Sequence, residues 1–152
     1  MKKIIFTSLF LAFALVFIGE ANAQTLSGSI GSIKRGVTGR GTVTLSIPSG
    51  LHVNSRNPGS EYAIPTSISI FTAAGIRVSV NYPRGKNRKF SFSDDMLNVY
   101  EGRTTFGFSI KVPANFKGNT AKFRIVVRFQ ACSNEVCYAP KTKEITLSAN
   151  II

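Results

Sequence analysis

Apolar and polar residues alternate along most of this chain after about position 40. Such alternation is typical of β-strands that place one face on a core and the other in water. No stretch keeps the 3.6-residue helical period over a helix length, so the pattern predicts a chain built of strands. The apolar members of the runs are Val43, Leu45, Ile47, Ile68, Ile70, Val78, Val80, Tyr82, Phe106, Phe108, Ile110, Val112, Phe123, Ile125, Val127, Phe129, Ile145 and Leu147.

Turn-forming residues separate these runs and set the fold class. About seven or eight short strands divided by such turns predict an all-β, immunoglobulin-like antiparallel β-sandwich. Residues 24–152 are long enough for one domain with its own core, and we find no linker or repeat within them. The turn segments are Pro48–Gly50, Asn57–Gly59, Pro83–Gly85, Pro113–Asn115 and Lys117–Asn119.

The first 23 residues have the three parts of a secretory signal peptide. Lys2 and Lys3 precede an apolar run over residues 4–18, and Ala21–Ala23 is a small-x-small cleavage site. The run is shorter than the roughly 20 residues that a spanning helix needs. We therefore expect residues 1–23 to be cleaved, and the domain to be periplasmic without stable membrane insertion.

The chain is strongly basic. Without Lys2, Lys3 and Glu20 its formal charge falls only from +12 to +11. This charge favours a soluble surface or attraction to anionic envelope material. No motif combines aromatic and basic residues as nucleic-acid binding requires, so we expect no nucleic-acid partner. The basic cluster over residues 84–89 is interpreted as a solvated loop.

Cys132 and Cys137 are the only cysteines, and they flank the connection between the last two predicted strands. Opposed residues in such a connection lie within disulfide reach. Closing so short a loop adds about 2 kcal/mol of stability, against about 4 kcal/mol for a loop of about 60 residues. A disulfide between these two cysteines would therefore stabilise the fold only weakly. Two interpretations stay open: a reversible dithiol, or the structural hairpin disulfide of a non-catalytic immunoglobulin-like binding module.

Other chemistry has few candidate residues. His52 is the only histidine, and we interpret it as a loop or edge residue. Two cysteines and one histidine could in principle bind a metal ion, so a metal site made of Cys132, Cys137 and His52 is a third hypothesis. No hydrolase motif appears, and no cofactor is expected. The sequence around the cysteines holds one acid, Glu135, and no base. We therefore expect nothing local to lower a thiol pKa.

The cysteine segment resembles that of the N-terminal domain of the disulfide reductase DsbD. Phe129–Cys132 matches the family's run of an aromatic residue, Gln, a small residue and Cys, and Cys137–Pro140 resembles its Cys-aromatic-Pro-Pro end. Further similar blocks are Leu51–Ser55 with Ile64–Thr66, and Leu97–Arg103. The resemblance spans roughly residues 41–147 and implies an immunoglobulin-like sandwich.

The resemblance also implies a function. The family's domain exchanges electrons through its cysteine pair with thioredoxin-like periplasmic proteins and a membrane electron transporter. Carried over, Cys132 and Cys137 are the redox pair, with Cys137 contacting the partner. No membrane or thioredoxin-like domain is recognisable in the sequence, so we expect a stand-alone exported module. Either a separate protein supplies its electrons, or the module serves a different function.

Four further positions are implied by the resemblance. Phe129, Tyr138 and Pro140 would shape the platform around the cysteines, and Phe92 would be the lid of a cap loop placed at residues 90–95. The sequence departs from the family in two ways. The insert between the cysteines is one residue shorter than in the best-known members, and Ala139 replaces the first Pro.

Overall fold

A computed structural model describes residues 24–152, so the signal peptide expected over residues 1–23 lies outside the described part. None of the described residues forms a helix that could cross a membrane. The chain folds into strands β1 (Thr25–Ile30), β2 (Thr38–Ser46), β3 (His52–Asn54), β4 (Ser67–Phe71), β5 (Arg77–Asn81), β6 (Lys86–Lys89), β7 (Met96–Tyr100), β8 (Arg103–Lys111), β9 (Thr120–Phe129), β10 (Ala131–Cys132) and β11 (Lys141–Asn150).

The strands form three antiparallel sheets, with orders β1-β2-β8-β5, β11-β9-β4 and β10-β3-β7-β6. The apolar members of the alternating runs on β2, β8 and β9 are buried together in one large core, which includes the fully buried Phe106, Phe123 and Phe129. Their polar neighbours lie on the other face of each strand because successive side chains point to opposite faces. The prediction of an all-β, immunoglobulin-like sandwich is confirmed.

The small sheet β10-β3-β7-β6 is covered on both faces, and this arrangement positions the cysteines. Ala131, Val53 and Tyr100 form one row across the sheet and join the large core. Cys132 and His52 form the next row, so they lie on the opposite face. That face carries a second, smaller core cluster of Phe90, Leu97 and Val99, with Ala63 and Phe92 packed against it.

Two interpretations of local structure are corrected here. Residues 86–89 form strand β6 and not a loop, and its side chains Lys86 and Arg88 bind the carboxylate of Glu101. His52 is in β3, an interior strand that pairs with both β10 and β7, and it is almost fully buried. The Pro48–Gly50 turn precedes β3, and Gly50 has a left-handed φ of 80° that favours glycine.

Candidate functional site

The two cysteines close a tight hairpin between β9 and β11. Cys132 and Cys137 are directly opposed in an antiparallel bridge, with Cα atoms 4.0 Å apart, and their sulfurs form a disulfide. Backbone hydrogen bonds flank the pair on both sides: Ser133 N–H donates to Val136 O, and Tyr138 N–H donates to Ala131 O. The disulfide expected from the sequence is present, and the hairpin also has backbone bonds of its own.

The two sulfur-bearing residues differ in accessibility. Cys132 is fully buried on the small sheet, whereas Cys137 is only partly buried at the hairpin's exit. A thiolate of another molecule needs an open line to the sulfur it attacks. Cys137 is therefore the more accessible of the two cysteines in this conformation.

Gln130 ties the hairpin to the rest of the site. Its side-chain carbonyl accepts hydrogen bonds from Asn54 Nδ2 at 3.0 Å and from the Ile64 backbone N–H at 3.1 Å. Its Nε2 donates to the carbonyl of Tyr138 at 3.2 Å. One side chain thus joins β3, the loop before β4 and the residue that follows Cys137. The sequence analysis quoted Gln130 as part of the motif but assigned it no role.

Three aromatic rings are stacked over this face of the small sheet. The His52 ring lies on Phe90 with centroids 4.0 Å apart, and Phe90 lies on Phe92 with centroids 5.3 Å apart. Phe92, partly exposed, also lines a cleft of about 460 Å³ that reaches Cys137 and Gln130. Phe92 was expected at this site from the sequence, whereas Phe90 was not; Phe90 is buried against His52 and the second core cluster.

Phe90 and Phe92 lie on the loop between β6 and β7, residues 90–95, which two side-chain hydrogen bonds hold in place. Ser91 Oγ donates to the Asn134 carbonyl in the cysteine hairpin at 3.2 Å. Lys89 Nζ donates to the Asp94 carbonyl at 2.6 Å. All of these groups are exposed, so water competes for each bond. The loop is therefore joined to the hairpin through one exposed side-chain bond, and its aromatic packing joins it to His52 of β3.

His52 is a titratable group beside the buried cysteine, which the sequence analysis did not foresee. It is the cross-strand partner of Cys132, although 80 positions separate them in the chain. Burial lowers the pKa of His52 below its ordinary 6.5, opposed by the negative charge of Glu101. The residues next to the cysteines in sequence include no base, but strand pairing places His52 opposite Cys132, because it brings together residues that are distant in sequence.

The remaining predicted residues occupy different surroundings. Phe129 is fully buried in the large core, whereas Tyr138 and Pro140 are exposed. Tyr138 is 46% exposed, and other apolar side chains near the hairpin are also exposed: Val136 at 50%, and Tyr62, which lines the cleft, at 85%. An apolar rim around a partly open sulfur suits contact with another protein.

The described residues offer no metal centre of the kind considered from the sequence. Among residues 24–152, no group of three or more His, Cys, Asp or Glu side chains could hold a metal ion. Both cysteines are also consumed by the disulfide. A thiolate is the ligand form of cysteine, so the oxidised pair offers none. The site as it stands can accept electrons through its sulfur–sulfur bond.

The chain is similar to known proteins in its fold and in its sequence family. No curated protein matches significantly. Among solved structures, the N-terminal periplasmic domain of ScsB from Proteus mirabilis matches with a TM-score of 0.60 and 13% identity, over 88% of this chain and 48% of that one. The chain thus spans about half the length of that structure. The reduced N-terminal domain of DsbD from Neisseria meningitidis matches with a TM-score of 0.46 and 21% identity, over 72% and 77% of the two chains.

The family model described as "Thiol:disulfide interchange protein DsbD, N-terminal" matches residues 31–149, which include all strands from β2 to β10 and the cysteine hairpin. The ScsB likeness shows the fold alone, whereas the family match extends over most of the chain and covers both cysteines. The chain belongs to the family of DsbD N-terminal domains.

Proposed function

We propose that this domain is a periplasmic thiol–disulfide exchange module whose reversible dithiol is Cys132 and Cys137. It passes electrons to or from thioredoxin-like proteins. Its second redox partner is a membrane electron transporter. Family membership and the disulfide support this proposal. In the same proposal, residues 1–23 are removed on export and residues 24–152 form the working domain.

The observation that carries the proposal is the unequal burial of the two cysteines. A structural disulfide works best when both sulfurs are sealed, whereas an exchange reaction needs one accessible sulfur and one that resolves the intermediate. Cys137 is partly exposed beside an open cleft, and Cys132 is fully buried behind it. Closing a six-residue loop also adds only about 2 kcal/mol, which is little for a domain with this core.

The transfer runs through a mixed disulfide. In the reduced domain, the Cys137 thiolate attacks one sulfur of a partner disulfide; that bond breaks, and the partner's released thiolate takes up a proton. The Cys132 thiol then loses its proton and attacks Cys137. The Cys132–Cys137 bond forms, the bond to the partner breaks, and the partner leaves as a dithiol. Two electrons and two protons pass to the partner, and the reverse sequence reduces the domain.

Access to the pair is controlled in this proposal by Phe92, which acts as the lid, while Tyr138 and Pro140 form the platform that the partner contacts. Phe129 supports that platform from the large core. Small oxidants meet an aromatic ring before they meet the sulfur. A docking protein that packs against the exposed rim displaces the ring.

The decisive experiment is trapping combined with a redox titration. Cys132→Ser should stay folded, keep the Cys137 thiol and accumulate a mixed disulfide with a thioredoxin-like protein in periplasmic extracts. Cys137→Ser, the matched control, should trap far less because Cys132 is buried. The native pair should also titrate reversibly in a glutathione series without unfolding. If both variants unfold and neither traps a partner, the alternative holds, and the disulfide is the structural bond of a binding module.

A further inference from the structure

Attack on the accessible sulfur of Cys137 leaves a negative charge on the buried sulfur of Cys132. When a thiolate opens the disulfide at Cys137, Cys132 departs as a thiolate on the covered face of the small sheet. When the disulfide closes, the Cys132 thiol must lose its proton there. Burial in apolar surroundings raises a thiol pKa, so both steps need a proton partner close by. This requirement rests on the proposed function.

The structure assigns that role to His52: we propose that its imidazole accepts the proton of Cys132 as the disulfide closes and delivers a proton, taken up from water, to the Cys132 thiolate as the disulfide opens. His52 and Cys132 are directly opposed on neighbouring strands. Opposed side chains on one face of an antiparallel pair have Cβ atoms about 4.5–5.5 Å apart, within reach of an imidazole and a thiol.

An unsatisfied atom supports this assignment. His52 Nε2 is buried and has no hydrogen-bond partner within the described structure. Leaving a buried polar atom unpaired costs about 1–3 kcal/mol, so such atoms call for an explanation. In the oxidised state Cys132 has no proton to offer. After reduction its S–H becomes a donor on the adjacent strand, where the ring nitrogen has no other partner.

Burial favours a neutral imidazole at His52, and the neighbouring charge of Glu101 opposes it. Glu101 follows β7 next to His52, and both line a surface cleft of about 400 Å³ that connects the site with water. Glu101 is itself neutralised by Lys86 and Arg88. The other titratable groups on segments around this face are Cys132, Glu135 of the hairpin loop, and Asp94 and Asp95 of the β6–β7 loop. Burial lowers the pKa of His52, so the ring is neutral near pH 7 and ready to accept a proton.

The closing step can be measured alone. A methyl mixed disulfide on Cys137 is formed with methyl methanethiosulfonate in acid, where closure is slow, and the sample is then jumped to a series of higher pH values. Acid quenching and mass spectrometry report the loss of the methylthio group. We expect the closure rate of the native chain to rise with pH and level off, with its inflection at the His52 pKa measured by NMR, below 6.5.

His52→Phe keeps an aromatic ring on Phe90 and removes the base. We expect closure near pH 7 to slow by about 10–100-fold, at or below the low end of what a positioned proton acceptor supplies, and the inflection to disappear. His52→Gln, which keeps a polar side chain, should behave likewise. Glu101→Gln should keep the inflection but move it to lower pH, because a negative charge that raises the His52 pKa is lost.

The outcomes separate this inference from the proposed function. If His52→Phe closes at the native rate with the native inflection, His52 is not the proton carrier, while the exchange function stands. If the variants do not fold, the native profile decides: an inflection that differs from the NMR pKa of His52 overturns the inference. If the native protein forms no adduct at Cys137, or its adduct never closes, the proposed function itself fails.

Discussion

At the scale of single residues, the site is defined by what covers each sulfur. Cys132 is enclosed by the small sheet and its second core cluster, and Cys137 lies at the edge of a cleft that Phe92 lines. The rings of Phe92, Phe90 and His52 form one continuous stack. In the proposed lid role, movement of the outermost ring would open the cleft at Cys137 first and loosen the packing on the imidazole second.

Removing the outermost ring tests its role as a lid. Phe92→Ala should speed the reaction of the reduced pair with a small disulfide such as oxidised glutathione. The melting temperature should change little, because Phe92 is partly exposed and packs only at the edge of the second cluster. The rate is read from quenched samples by mass spectrometry. An unchanged rate, or a loss of about 3–5 kcal/mol as for a core Phe→Ala, would contradict the lid.

Phe71→Ala is the matched control for this experiment. Phe71 is also a partly exposed aromatic residue, but it lies on β4 in another sheet, where it contacts Arg124. Its removal should leave the reaction rate of the cysteine pair unchanged. A similar acceleration in both variants would mean that loss of any surface aromatic residue loosens the domain, and that Phe92 has no special place.

At the scale of elements, the two faces of the small sheet have different roles, because successive side chains of its strands point to opposite faces. One row of side chains, with Val53 and Tyr100, anchors the sheet to the large core. The neighbouring row carries Cys132 and His52 toward the β6–β7 loop. The reactive pair is thus built on paired strands, and only its covering is a loop. Sites carried by rigid elements hold their geometry better than sites on loops.

The hydrogen bonds of the cysteine hairpin and its disulfide should reinforce each other, since both order the same few residues. Gln130→Leu removes the bond to the Tyr138 carbonyl and the two bonds that Gln130 accepts. We expect the variant's equilibrium in a glutathione series to shift toward the dithiol by up to about tenfold, which corresponds to about 30 mV. The same loss of stability in the oxidised and reduced forms, with no shift of the equilibrium, would contradict this coupling.

The sequence predicts the long strands well and the small sheet poorly, for a physical reason. β2, β8 and β9 each bury one face, and their alternation is plain in the residues. β3 is buried at all three positions and β6 is exposed at all four, so neither shows the two-residue period. The cysteine pair is local and was recognisable. Its pairing with His52 depends on strand order, which periodicity does not encode.

At the scale of the whole molecule, stability rests on the large core and not on the disulfide. Phe106, Phe123 and Phe129 are fully buried there. Cys132→Ala with Cys137→Ala should therefore fold and lose only about 2 kcal/mol of unfolding free energy. Urea unfolding of the variant, the oxidised protein and the reduced protein measures this. If the variant and the reduced protein are both unfolded without urea, the disulfide is a structural requirement.

Stability should also fall in acid in two separate steps, each set by one buried or paired group. Burial holds the pKa of His52 below 6.5, and the hydrogen bonds from Arg88 hold that of Glu101 below 4.5. In both cases the unfolded chain binds the proton more readily than the folded one. Each group therefore makes its whole contribution to the free energy of unfolding at pH values above its ordinary pKa. That contribution is lost as the pH drops through the pKa of the group in the folded protein.

The first step should begin as the pH drops below about 6.5 and belong to His52, and the second should begin below about 4.5 and include Glu101. Urea unfolding of the oxidised protein across this range measures both steps. His52→Phe should remove the upper step and leave the lower one, because the substitution deletes one titrating group and no other. If the upper step persists in His52→Phe, another group takes up that proton on unfolding, and the buried imidazole is not what makes the fold sensitive to mild acid.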